Sequence, residues 1–176
     1  MLATAAVLGA VLLVVVRAPE RQLPREAIRG QRVFRVGTHG VEQIVVTLEG
    51  RRFAARRTGS TWAIDGHPAN AGTADALDDL VDTLVRLRAV DVFRPADGAS
   101  FGLDAPQATI ELVGPHATRR LLLGAPNSIG SAFYAQRPGD PRVLQVGAGI
   151  LSELERVFYH RDREAGDGAA QPPEMG

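Results

Sequence analysis

Twice along this chain a stretch of apolar alternation gives way to apolar residues spaced every three or four, and that repeated change of period is what most constrains the fold. In VEQIVVTL, residues 41–48, Ile44, Val46 and Leu48 point one way, the mark of a strand with one buried face. Glu49-Gly50 turns the chain into RRFAARR, where Phe53 and Ala55 face a core and Arg52 and Arg56 face water. STWAI follows with Trp62 and Ile64 on one side, and DGHPANAG, residues 65–72, ends a three-stranded meander. From Thr73, read as the N-cap, Leu77, Leu80, Val81, Leu84 and Leu87 recur at helical spacing, with Asp75 in the first turn.

The scheme then repeats. ATIEL and RRLLL alternate around Gly114-Pro115, with Ala108, Ile110 and Leu112 inward, and FYAQ and RVLQV pair around Pro138-Gly139-Asp140. In GILSELERVFYH, Ile150 or Leu151, then Leu154, Val157 and Phe158 return to helical spacing. The expected fold is α+β: two antiparallel β-meander plus helix units in one domain over residues 33–163, with the helices on one face of the sheet. Residues 164–176, EAGDGAAQPPEMG, lack apolar periodicity and read as a disordered tail.

Ahead of that domain, MLATAAVLGAVLLVVV carries no charged side chain from Met1 to Val16. A spanning helix needs roughly 20 apolar residues, with about 17 at the low end. No basic region precedes the run and no A-x-A site closes it, so residues 1–16 read as an uncleaved membrane anchor helix and residues 17–32 as a linker. The arginines after the run would place the domain in the cytoplasm by the positive-inside rule, and a start codon upstream of Met1 would reverse the count.

Composition removes several chemistries. The 20 basic residues are all arginine and balance 20 acidic ones, which argues against a general nucleic-acid binder. Without lysine there is no Schiff base or phosphate-loop lysine, and without cysteine no disulfide, thiolate metal site or thiol nucleophile. His39, His67, His116 and His160 never occur at ligand spacing, and Asp75, Asp78, Asp79 and Asp82 read as a solvated helix face with Asp82 paired to Arg86. The dense cluster Arg51, Arg52, Arg56 and Arg57 reads as a solvated strand face or a headgroup contact. No cofactor or metal is expected.

Gly98 to Gly102 fits G-x-S-x-G, the nucleophile elbow of serine hydrolases, with Ser100 at its centre. That elbow needs a strand ending at the serine and a helix starting after it. Here Pro95 to Gly98 intervene before Ser100, and Leu103 to Pro106 lead into a strand. FGLDAP therefore reads as a folded connector in which Gly102 takes positive φ, Asp104 bonds its own turn and Phe101 and Leu103 anchor it. The segment GAPNSIGSAFY, residues 124–134, reads as a long turn.

The succession of TWAIDGHP, TADALDDLVDTLVRLRAVDVF, FGLDAP, LLLG, FYAQ, RVLQV and FYHRDR resembles the family called domain of unknown function 4340 over most of residues 33–163. The resemblance implies a membrane-anchored, extracytoplasmic α+β domain that accompanies a gliding-motility-type ABC transporter and has no established catalytic activity. The expected function is thus a non-enzymatic accessory module, single-pass in the inner membrane through residues 1–16 with its domain on the periplasmic side. Its partner would be a transporter or envelope protein, met through the sheet or the 124–134 segment, with Trp62, Tyr134, Asn127 and Ser128 as possible contacts. The rival readings are a small-ligand module for a glycan or peptide, and a hydrolase using Ser100.

Overall fold

The computed structural model describes residues 30–96 and 100–167, with side chains as far as Tyr159. Among the described residues nine strands form one antiparallel sheet. The first meander is β1 (Gln43–Leu48), β2 (Arg51–Thr58), β3 (Thr61–Ile64) and β4 (His67–Pro68), followed by helix α1 (Ala71–Arg86) and strand β5 (Asp91–Phe93). The second is β6 (Ala108–Val113), β7 (Thr118–Pro126), β8 (Ala132–Gln136) and β9 (Val143–Gly147), closed by helix α2 (Gly149–Asp167). Across the sheet the order is β4-β3-β2-β1-β6-β7-β8-β9-β5. The expected α+β class with mostly antiparallel sheet and two helices is what the chain forms.

The two units meet at β1 and β6, whose register runs from Gln43 opposite Val113 to Leu48 opposite Ala108. From that seam the strands follow in the same chain order both ways, β1-β2-β3-β4 on one side and β6-β7-β8-β9 on the other, so the meanders are related in topology by a local two-fold through the seam. β5 breaks the relation by crossing to the far edge beside β9.

Directly paired residues share a sheet face, and the register carries one apolar row across the molecule. Phe53, Val46, Ile110 and Leu121 are successive partners, as are Ala108, Leu123, Ala135 and Leu144. Against this face lie Leu77, Leu80, Val81 and Leu84 of α1 and Ile150, Leu154, Val157 and Phe158 of α2, in one continuous buried cluster. Phe158 stacks on Phe53 at 5.3 Å, which ties the helix of the second unit to a strand of the first.

Several boundaries differ from the sequence reading. Helix α1 is capped by Asn70, whose side chain accepts from Thr73 N–H at 2.8 Å, so Thr73 lies inside the helix instead of capping it. Residues 65–72 include a fourth strand, because Asp65 and Gly66 turn with positive φ and return His67–Pro68 against β3. Residues 30–32 belong to the fold and not to a linker: Gly30 N–H donates to Ala89 O, Ala89 N–H to Gln31 O and Val33 N–H to Leu87 O, at 2.9–3.0 Å. At the other end α2 continues to Asp167, four residues into the expected tail. The expected anchor at 1–16, and residues 17–29 after it, lie outside the described residues; among those described, no helix is long and apolar enough to cross a membrane.

Candidate functional site

Of the residues expected to meet a partner, Trp62 is withdrawn from solvent. Its position in β3 alternates with exposed Thr61, which turns the indole into the core at 0% exposure. Nε1–H donates to Asp78 Oδ1 at 3.0 Å, and the same oxygen accepts from Arg57 at 2.6 Å while the Arg57 guanidinium lies 4.4 Å above the ring. Trp62 is therefore a packing residue that joins β2, β3 and α1, and Asp78 is the polar tie of that junction.

The 124–134 segment is a tight turn where a long one was expected. Gly124 to Pro126 continue β7 and Ala132 opens β8, leaving Asn127 to Ser131 as the reversal. Asn127 shapes it: Oδ1 accepts from the N–H groups of Ser131 and Ala132 at 3.0 and 3.3 Å, and Nδ2 donates to Ser131 Oγ at 3.3 Å. Asn127 thus spends its side chain on the turn itself. Ser128 is exposed, and beside it Ile129 is 80% exposed at the tip.

Tyr134 is half-buried on the sheet face away from the helices, in register with Gln145. It forms an edge-to-face cluster with Phe101 at 4.7 Å and Phe93 at 6.3 Å. The connector lies against β7 here, with Ala125 N–H donating to Phe101 O at 2.8 Å. Gly102 has φ of 69°, as the sequence suggests, and a Cβ at Gly124 would collide with the Phe101 carbonyl. Asp104 is exposed and makes no turn hydrogen bond among the described residues. Ser100 is exposed, seven residues beyond the end of β5, and the next regular element is a strand, so no strand-serine-helix elbow is formed among the described residues.

The arginine cluster of β2 divides by face. Arg51 lies over the rings of Phe53 and Tyr159, Arg57 joins Trp62 and Asp78, Arg56 donates to Gln43 at 3.2 Å and Arg52 is exposed on the opposite face. His39, His67 and His116 are exposed and the side chain of His160 lies outside the description; among the described residues no acidic or histidine side chains gather as metal ligands would.

A site the sequence reading missed lies at the sheet end where β7 begins and β8 turns into β9. Arg35, Arg119, Arg120, Arg137 and Arg142 line a groove of about 610 Å³ together with buried Val33 and Phe34, and Asp140 lies in it between Arg137 and Arg142. Asp140 Oδ2 accepts from Arg137 and from Arg142, each at 2.8 Å, and Oδ1 accepts from Arg142 Nε at 2.9 Å and from its backbone N–H at 3.1 Å. The Arg142 hydrogen bonds hold the Asp140 carboxyl well below the usual carboxylate range, against the opposing pull of burial. Arg137 also reaches the Val33 carbonyl at 3.5 Å, and Arg120 pairs with Glu111 at 2.7 Å. The signal was present only as isolated arginines at positions 35, 119, 120, 137 and 142, brought together by sheet register and by the course of residues 30–35.

The family model described as Domain of unknown function (DUF4340) matches residues 62–158, from the buried Trp62 to the Phe158 that packs on Phe53. No curated protein and no solved structure matches the chain.

Proposed function

The chain belongs to the DUF4340 family, and on that premise we propose that it is a non-enzymatic accessory module, anchored in the inner membrane by residues 1–16 with its folded part on the periplasmic side. It docks on a transporter or envelope protein through the β7–β8 turn. The observation that carries docking is the state of that turn: Asn127 fixes the backbone while Ile129 stays 80% exposed. An apolar tip already held in shape loses little conformational entropy on binding, which is where much of the cost of association lies. The aromatic cluster of Phe93, Phe101 and Tyr134 supports a ligand groove less well, because its rings pack against one another and against the connector.

A photo-crosslinking residue placed at Ile129 in native membranes, compared with one at the exposed His116, tests the assignment. The expected result is one membrane or envelope protein crosslinked from position 129 and not from 116. Equal labelling from both positions overturns it. Orientation is read separately from a C-terminal reporter that works only outside the cytoplasm.

A further inference from the structure

The arginine groove holds more positive charge than the fold consumes. Arg137 and Arg142 pair with Asp140 and Arg120 pairs with Glu111, so the five arginines of the lining meet two carboxylates. Arg35 and Arg119 are exposed and carry no hydrogen bond or ion pair among the described residues. Arg137 and Arg142 are fixed in place. A guanidinium has five N–H donors; Arg142 spends Nε and one Nη2 donor on Asp140, and Arg137 spends one on Asp140 and one on the Val33 carbonyl. Each keeps three donors on a head group that the turn has already oriented.

We propose that this groove is a binding site for a phosphate-bearing anion. Asp140 itself shows the demand of a single carboxylate, since two guanidiniums serve its two oxygens. The donors left over, together with Arg35 and Arg119, match a group with more charge and more acceptor oxygens, and a phosphate takes the planar N–H fork in a bidentate fashion. Val33 and Phe34, each 1% exposed, form an apolar floor, and a low-dielectric base strengthens the attraction above it.

The inference does not depend on the docking turn, which lies at residues 127–131, away from the groove's lining. Lipid headgroups and dissolved phosphates share the chemistry. If residues 1–16 lie in a bilayer, residues 17–29 can extend at most about 45 Å before Gly30, and Val33 to Arg35 of the groove follow at once. A headgroup is then within reach.

The test uses the full chain in zwitterionic detergent, titrated calorimetrically with water-soluble short-chain phosphatidylglycerol, with inorganic pyrophosphate and with citrate. Saturable binding of either phosphate probe is expected, weakened about tenfold or more in the R35Q/R119Q double variant and unchanged in R52Q/R56Q on the outer sheet face. All four arginines are exposed, so both variants are expected to keep the fold. Tighter binding of the lipid names a headgroup as the source, and tighter binding of pyrophosphate names a dissolved anion. Failure of both phosphate probes to saturate, citrate binding as tightly as either, or equal losses in the two double variants overturns the proposal.

Discussion

Asp140 is the residue on which the groove's geometry turns, and its carboxyl is only 17% exposed between two guanidiniums. Because the folded state depresses its pKa, chiefly through the Arg142 hydrogen bonds, its contribution is present above the ordinary carboxylate value of about 4. It is lost as pH falls below that value toward the depressed one. D140N is therefore expected to be less stable than the parent by about 2 kcal/mol at pH 7 in urea unfolding, with the gap narrowing at pH 3 and below. A gap that stays constant with pH would remove the carboxylate from this role. The same scale shows what single residues disclosed in advance. Alternation put Trp62 and Ile64 inward correctly, since a strand's period depends only on neighbours. The cap could not be read as safely: Asn70 and Thr73 are both capping types three residues apart, and only the backbone geometry assigns the cap to Asn70.

Among the elements, the connector from β5 to β6 explains Gly102, one of the two glycines that the sequence offered as an enzyme motif. Its course brings the Phe101 carbonyl and Gly102 against Gly124 and Ala125 of β7, where the β7–β8 register also shifts. Both backbones need the missing Cβ for that approach. G124A is expected to cost about 1–3 kcal/mol, because the contact it meets is main chain and not a movable side-chain end. G130A in the β7–β8 turn is the control. Its φ of 70° gives it the left-handed penalty, but no atom lies within 4 Å of its added Cβ, so about 1 kcal/mol is expected. Thermal unfolding of the two variants checks the order, and a G124A loss no greater than that of G130A would show that the connector yields. Hairpins and helices were legible because turns and periods are local signals. The close approach of residue 102 to residue 124, like the gathering of arginines from 35 to 142, is set by strand register and leaves no local trace.

For the whole molecule, the local two-fold raises the question of whether the units are separate folding bodies. The seam argues against it. Ile44 with Leu112, Val46 with Ile110 and Leu48 with Ala108 are paired across it, and all six are at most 1% exposed. Splitting the units would expose this row and the Phe53–Phe158 contact together, leaving each meander with one helix and half a core. A core continuous through both units predicts one cooperative transition. The chain's single tryptophan makes the test direct, since Trp62 lies in the first unit and its fluorescence reports that unit alone, whereas far-UV ellipticity reports both. The two urea curves are expected to superimpose, in the parent protein and in an I110A variant placed in the second unit's half of the seam. That variant removes side-chain volume from a fully buried site and is expected to lower stability by about 2–5 kcal/mol, shifting the Trp62 signal and the ellipticity by the same amount. A fluorescence midpoint unmoved by I110A would mean that the first unit holds its own core, and that the seam joins two domains instead of completing one.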